Sequence, residues 1–376
     1  KLALTEQLKK DLQDIRYDPA DYEAVNLPAM GKNNGVTLYD MIGLDYDDPK
    51  WDDLLDNLTF DEMNTLIGDA FHWTMPVKSI EAPGTRDENG PQGLTASLLG
   101  SGATQLTATA FTSEDVMAAT FNTDLMTAVG TIIGNNCLSA NIACLYGPGN
   151  NIHRTPYGGR NFEYYSEDGF LSGMMSAYEV AAIQAKGVHV VMKHFALNDC
   201  EQDRIGLGVW INEQAAREVY LKAFQAPIEV GNGNGVMIAY TRWGAVWSGG
   251  NAGLVNGILR GEWGFRGMVI TDGFHFTDYM DSDRAIRNGC DLMLKNYDVA
   301  TNHLTDTTSA TGVKAMRQAC KNIMYTVVNS RVYDPANTVS TPIWRIAMIV
   351  VDVLLAVLLV VLEVLTFKSY KKKKAQ

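Results

Sequence analysis

Apolar and charged positions are sharply segregated along the 376-residue chain. The run VHVVMKHF (188–195) and the run GMVITD (267–272) are β-branched, apolar stretches of strand length. Each ends in charge, Lys193 and His194 in the first and Asp272 in the second. A buried strand that delivers functional groups at its C-terminal end, with a helix after it, is how a (β/α) barrel presents chemistry. Charges abutting such a strand cost desolvation unless they are paired or used. Helical spacing of apolar positions predicts helices over 51–69, 113–133, 169–187, 213–231 and 254–265. Thr59 with Glu62 three residues on reads as a capping box, and Ser113 as an N-cap. Residues 137–148 and 235–249 read as strands running into loops, the second rich in aromatics.

A different pattern closes the chain. Residues 346–367, IAMIVVDVLLAVLLVVLEVLTF, are almost wholly apolar. As a helix they would extend about 33 Å and cross a hydrocarbon core of about 30 Å. Asp352 and Glu363 interrupt the run, at a cost of a few kcal/mol each on insertion scales. Trp344 precedes it, and Lys368, Tyr370 and Lys371–Lys374 follow. The positive-inside rule then predicts a single-pass protein of the cell membrane, with residues 368–376 as a cytoplasmic tail and the globular part outside the cytoplasm. Nothing in the opening residues resembles an export signal, so an upstream segment is expected. Residues 1–50, rich in turn residues and acids after a short helical stretch, read as a linker or N-terminal extension, and 334–345 as a second linker.

Composition narrows the function classes. Residues 51–333 are long enough for one barrel of about 250 residues. A formal charge of −12 and the lack of a basic, aromatic-interleaved surface argue against a nucleic-acid partner. Five cysteines, an odd number without metal-ligand spacing, read as reduced and buried rather than as a disulfide framework. No metal or cofactor is implied.

Several polar stretches are candidates for chemistry. A lysine–histidine pair can serve as a Schiff-base site, a phosphate clamp or a hydroxyl clamp, and the residues alone leave these open. The loop 151–163 carries Arg154 and Arg160, whose planar guanidiniums suit paired hydroxyls or a carboxylate. Arg154 and Glu163 read as braces of that loop. Trp243 and Trp247 suit either ring stacking or packing. Asn89 in DENGPQGL is a turn residue that can also donate and accept hydrogen bonds, with Asp87 as a nearby substitute.

KHFALND (193–199) with Arg204, GRNFEYYSED (159–168) and EWGFRGMVITD (262–272) occur in one order and resemble the catalytic barrel of glycoside hydrolase family 3, over about 52–329. The resemblance implies an α/β fold, a (β/α)8 TIM-barrel-like catalytic domain, here followed by a single transmembrane helix. It implies a retaining β-glycosidase acting on terminal β-D-glucosyl or β-xylosyl units, with Asp272 as nucleophile. Arg160, Lys193 and His194 would then bind sugar hydroxyls, and Tyr240 would lie beside the nucleophile. Asn89 stands where the family has the aspartate of a DGP loop, which removes a charge-assisted bond. KHFALND departs from the KHFPGHG-type loop of the β-N-acetylglucosaminidases. In glucosidase-like members the acid/base glutamate comes from a sandwich domain; Glu163, Glu167 and Glu201 are local substitutes that no spacing rule selects. That domain is expected as an upstream or separate partner. The alternatives are a membrane-anchored carbohydrate-binding pseudoenzyme and a lysine-dependent aldolase using Lys193. Asp278, Asp281 and Asp283 read as solvated or helix-start residues.

Overall fold

The computed structural model describes residues 4–13, 17–95, 108–274, 279–295, 304–306, 308–333 and 343–374. The chain divides into two units, Lys1–Asn337 and Thr338–Gln376.

The first unit begins with α1 (Glu6–Gln13), α2 (Lys50–Leu55), α3 (Phe60–Gly68), β1 (Trp73–Thr74), β2 (Thr85–Asn89), α4 (Glu114–Ala118) and α5 (Thr123–Ser139). There follow β3 (Cys144–Gly149), α6 (Gly169–Gln184), β4 (His189–Phe195), β5 (Gly208–Val209), α7 (Glu213–Ala215), α8 (Lys222–Glu229) and β6 (Gly235–Ile238). It ends with β7 (Arg242–Trp243), β8 (Val246–Trp247), β9 (Met268–Thr271), α9 (Ser282–Arg287) and α10 (Ala310–Val328). Two stretches are wound as π-helix, Ala216–Tyr220 between α7 and α8, and Gly253–Glu262 before β9.

Strands β2, β3, β4, β6 and β9 run parallel in that spatial order, and β1 pairs antiparallel with β2 at the edge. Beyond β9 the pairing continues irregularly. Thr271 N donates to Leu292 O at 2.9 Å, and on the other side Met293 N and Lys295 N donate to Ile67 O and Ala70 O, both at 2.7 Å. The arrangement is therefore TIM-barrel-like with a mixed sheet. The eightfold parallel repeat is not met among the described residues, because β1 is only two residues long and antiparallel, and the closing segments bond without regular strand geometry.

The apolar runs form the staves as their patterns predict. Val190, Val191, Met192, Val236, Ile238, Val269 and Ile270 are almost wholly buried. Being covered on both faces, they need no polar alternation. A second polar face forms where β2 runs as TRDEN, a stretch the sequence places partly in a loop. It is a central strand because its charges find partners inside: Thr85 and Thr74 hydroxyls donate to Asp87, and Arg86 pairs with Glu88 at 3.0 Å. Asp87 is buried below the mouth and held there, so it does not substitute for Asn89.

Two expected single helices are each broken. Within 51–69 the chain turns at Asp56–Leu58 and restarts at Thr59, whose side chain accepts from Glu62 N at 3.2 Å while Glu62 accepts from Thr59 N at 3.0 Å. Within 113–133 the second helix is capped by Asn122, which accepts from Leu125 N at 3.1 Å; Ser113 makes no side-chain cap bond. Helix α10, unread in the sequence, packs through Val313, Met316, Ile323 and Val327. The stretch 17–50 lies along the barrel, with Leu38 and Met41 buried, Arg317 NH1 donating to Ala29 O at 2.6 Å and Tyr17 stacked under Arg287. All five cysteines are free.

The second unit is α11 (Ile343–Lys374), one continuous helix whose apolar side chains from Ile346 to Phe367 are all exposed. It is long and apolar enough to cross a membrane.

Candidate functional site

The site assembles at the C-terminal ends of the parallel strands. Asn89 ends β2, Lys193 and His194 lie near the end of β4, and Asp272 follows β9. The loop after β3 and the segment after β4 fold over them, bringing Arg160, Glu163, Tyr164, Asn198, Glu201 and Arg204 alongside. The peptide bonds Lys193–His194 and Phe195–Ala196 are cis.

Lys193 donates to Asn89 Oδ1 at 2.6 Å and lies 3.5 Å from Glu163 Oε2. Glu163 also accepts from Arg160 Nε. Burial pushes the Glu163 carboxyl up, but Lys193 and Arg160 together outweigh it and hold the group below its ordinary value. Burial lowers the Lys193 ammonium, with Glu163 opposing. Glu163 is thus more than a loop brace, because it bridges two of the expected substrate-binding cations. Arg154 points elsewhere, donating to the Tyr220 hydroxyl.

Asp272 accepts from Gly273 N through Oδ1 at 2.7 Å, while Oδ2 lies 3.8 Å from His194 Nε2 and 3.9 Å from Arg204 NH1. Its side chain remains 19% exposed, which leaves a face open to solvent. The Tyr240 hydroxyl donates to Gly273 O at 2.7 Å, under the Arg204 guanidinium 4.9 Å above its ring. Burial first, then the Asp272 charge, pushes that phenol up. His194 is buried, and burial with Arg160, Lys193 and Arg204 around it drives its imidazole well below the ordinary value. That shift favours the neutral ring.

Other acids have other work. Glu201 accepts from Asn198 Nδ2 at 2.8 Å, and its other oxygen forms an ion pair with Arg204 NH1 at 3.0 Å. Glu167 is exposed. Asp281 caps α9 by accepting from Arg284 N at 2.8 Å. Asp283 is buried rather than solvated, accepting from Thr305 N at 2.9 Å. Asp278 lies outside the described residues. Trp247 is no floor for a ligand: it is buried, donates to Ala239 O at 3.0 Å and packs on Phe274 and Tyr279.

Sequence reasoning missed the groups that hold these residues in place. Asn151 accepts from His194 N at 2.8 Å and donates to His194 O at 2.9 Å, fixing the backbone of that residue from both sides. Tyr164 and Asn198 contact the imidazole directly or at one remove. The only signal for them was polar side chains clustered around strand ends, which does not distinguish a support from a surface loop. The arrangement as a whole offers hydrogen-bond donors around an accessible carboxylate.

Residues 94–332 match the glycosyl hydrolase family 3 N-terminal domain. The chain is 38% identical over 223 residues to an exo-α-(1→6)-L-arabinopyranosidase of Bifidobacterium breve, covering 57% of this chain and 29% of that protein. It is 41% identical over 157 residues to a β-glucosidase of Ruminococcus albus, covering 42% and 17%. Among solved structures, β-glucosidase 3B of Thermotoga neapolitana in complex with α-D-glucose superposes with a TM-score of 0.67 at 26% identity, over 78% of this chain and 44% of that one. A β-glucosidase of Paenibacillus barengoltzii gives a TM-score of 0.69 at 25% identity, over 88% and 37%. The chain therefore spans less than half the length of these relatives. With the family model covering more than half of it, the chain belongs to glycoside hydrolase family 3.

Proposed function

We propose that the barrel is the nucleophile-bearing half of a retaining β-glycosidase, with Asp272 attacking the anomeric carbon of a terminal β-D-glucosyl or β-xylosyl unit. The observation that carries this reading is the position of Asp272 at a strand end, its Oδ2 facing His194 and Arg204 at 3.8 and 3.9 Å with no closer cation among the described residues. Arg160, Lys193, His194 and Asn89 hold the sugar hydroxyls, and Tyr240 orients the nucleophile loop. In the first step the carboxylate oxygen bonds to the anomeric carbon as the bond to the leaving oxygen breaks, and that oxygen takes a proton from the acid. In the second, water deprotonated by the same group releases the sugar. The acid must be a protonated carboxyl at that moment. Lys193 and Arg160 hold Glu163 below its ordinary value, which favours its ionised form, and Glu201 is paired with Arg204. The acid/base glutamate is accordingly assigned to a sandwich domain outside this chain, upstream or on a separate one. Helix α11 is proposed to cross a membrane with its lysines on the cytoplasmic side, leaving the barrel outside the cytoplasm.

The same cation-bound glutamates favour a second reading, a membrane-anchored sugar-binding protein in which no acid assembles. A panel of activated 2-deoxy-2-fluoro glycosides separates the two, because a good leaving group needs no acid. A covalent adduct mapped to Asp272 by peptide mass is expected; folded protein that forms no adduct with any sugar supports the binding reading instead.

A further inference from the structure

Behind His194 runs a chain of hydrogen bonds whose directions can be worked out from donor and acceptor chemistry. It begins at Glu201, which Arg204 NH1 contacts at 3.0 Å and Arg160 NH1 at 3.9 Å. A carboxylate so placed is an acceptor only. The Asn198 side chain lies 2.8 Å from Glu201 Oε1, so it must present its NH2 group there. That orientation fixes the rest of the amide: the same Nδ2 lies 3.1 Å from the Tyr164 hydroxyl and donates to it, and Oδ1 is buried with no partner among the described residues. The Tyr164 oxygen is thereby an acceptor toward Asn198. Its single proton has one acceptor among the described residues, His194 Nδ1, at 3.3 Å.

We infer that Tyr164 and Asn198 are positioning residues that lock His194 in one tautomer, with Nδ1 bare and the proton on Nε2, aimed at the space in front of Asp272. The opposite tautomer fails at both ends. A proton on Nδ1 would leave the buried Tyr164 hydroxyl without an acceptor, and a bare Nε2 would set its lone pair against Asp272 Oδ2, 3.8 Å away. Asn151, bonded to both backbone groups of His194, holds the main chain of that residue in place. Burial keeps the ring neutral, so it offers a donor without adding a second positive charge beside Lys193. On the glycosidase reading above, this donor meets a sugar hydroxyl next to the nucleophile.

The tautomer is a property of the free protein and is measurable without turnover. The 376-residue chain in detergent micelles, labelled with ¹⁵N-histidine, gives two-bond nitrogen–proton correlations that distinguish Nε2–H from Nδ1–H. Six histidines contribute, and a His194→Gln spectrum identifies the relevant one. We expect a pure Nε2–H pattern for His194 in the wild type, replaced in Tyr164→Phe by a tautomer mixture or a protonated ring. A wild-type Nδ1–H pattern, or a Tyr164→Phe spectrum unchanged at His194, overturns the inference. If Tyr164→Phe does not fold, Asn198→Ala, which removes the donor that commits the hydroxyl, must show the mixture instead; a pure Nε2–H pattern there counts against it. Should the enzyme be active, Tyr164→Phe also loses roughly tenfold in kcat/KM. Absence of any fluoroglycoside adduct refutes the glycosidase reading and leaves the tautomer result standing.

Discussion

The two ends of the parallel strands carry the same residue types in different states. At the N-terminal end, Asp291 accepts from Val269 N at 2.7 Å, from Arg260 at 2.6 Å and from Asn322 at 2.7 Å. At the C-terminal end of β9, the strand whose Val269 bonds to Asp291, Asp272 has its outer oxygen 3.8 Å or more from the nearest cations among the described residues. Strand β4 repeats the contrast. His189, near its start, is buried and bonded through Nδ1 to Asn234 at 2.8 Å; His194, near its end, is backed by Tyr164 and turns its other nitrogen to the mouth. A carboxylate whose bonds are all closed by protein, or an imidazole buried out of reach of the mouth, is part of the scaffold. One with an oxygen or ring nitrogen turned to the mouth, where the nearest cations stand beyond hydrogen-bond distance, has bonding capacity left for a ligand.

The sharpest way to break this contrast is to neutralise both aspartates. Asp291→Asn leaves Arg260 facing an amide in the interior and is expected to cost about 3–5 kcal/mol, read as a lower denaturant midpoint with unchanged slope. Asp272→Asn is expected to change stability by no more than about 1 kcal/mol while removing the fluoroglycoside adduct altogether. Equal destabilisation by the two would end the distinction between the ends.

A smaller effect tests the scaffold imidazole. Burial lowers His189 from its ordinary value to about 4. Between that value and 6.5 the unfolded chain binds a proton that the folded one does not, so stability falls as pH drops from 6.5 toward 4. The full contribution is on the order of 3 kcal/mol, and His189→Gln should flatten that part of the urea-derived stability profile. A profile that His189→Gln leaves unaltered would mean the residue does not carry it. The smallest expected effect is local: Thr59→Ala opens one capping box and should lower stability by about 1 kcal/mol without touching the site.

Legibility in the sequence tracks how each residue is satisfied. Lys193, His194 and Asp272 stood out because each breaks an apolar run, and a strand buried on both faces tolerates such a break only at its end. Strand β2 did not stand out, since TRDEN is polar throughout and becomes a central strand only when Thr74, Tyr146 and His72 arrive from elsewhere to meet Asp87 and Glu88. The breaks at Asp56–Leu58 and at Asn122 were hidden because helical spacing persists across a short turn; only the caps, Thr59 visible and Asn122 overlooked, mark the restart. Tyr164 and Asn198 lie in a motif that resembles the family's, yet nothing in GRNFEYYSED or KHFALND says which polar side chain meets which.

By itself the sequence determined the class of fold, the strand ends that bear charge, the apolar C-terminal helix and the family, because these depend on periodicity and on motif order along the chain. Only the tertiary structure decided that β2 is a stave, that the ring closes through irregular backbone, that Glu163 bridges Arg160 to Lys193, and which way the protons point behind His194. Each of those outcomes needs at least one contact between residues far apart in the chain, such as Tyr164 with His194, Lys193 with Glu163 or Met293 with Ile67, for which the chain carries no local pattern.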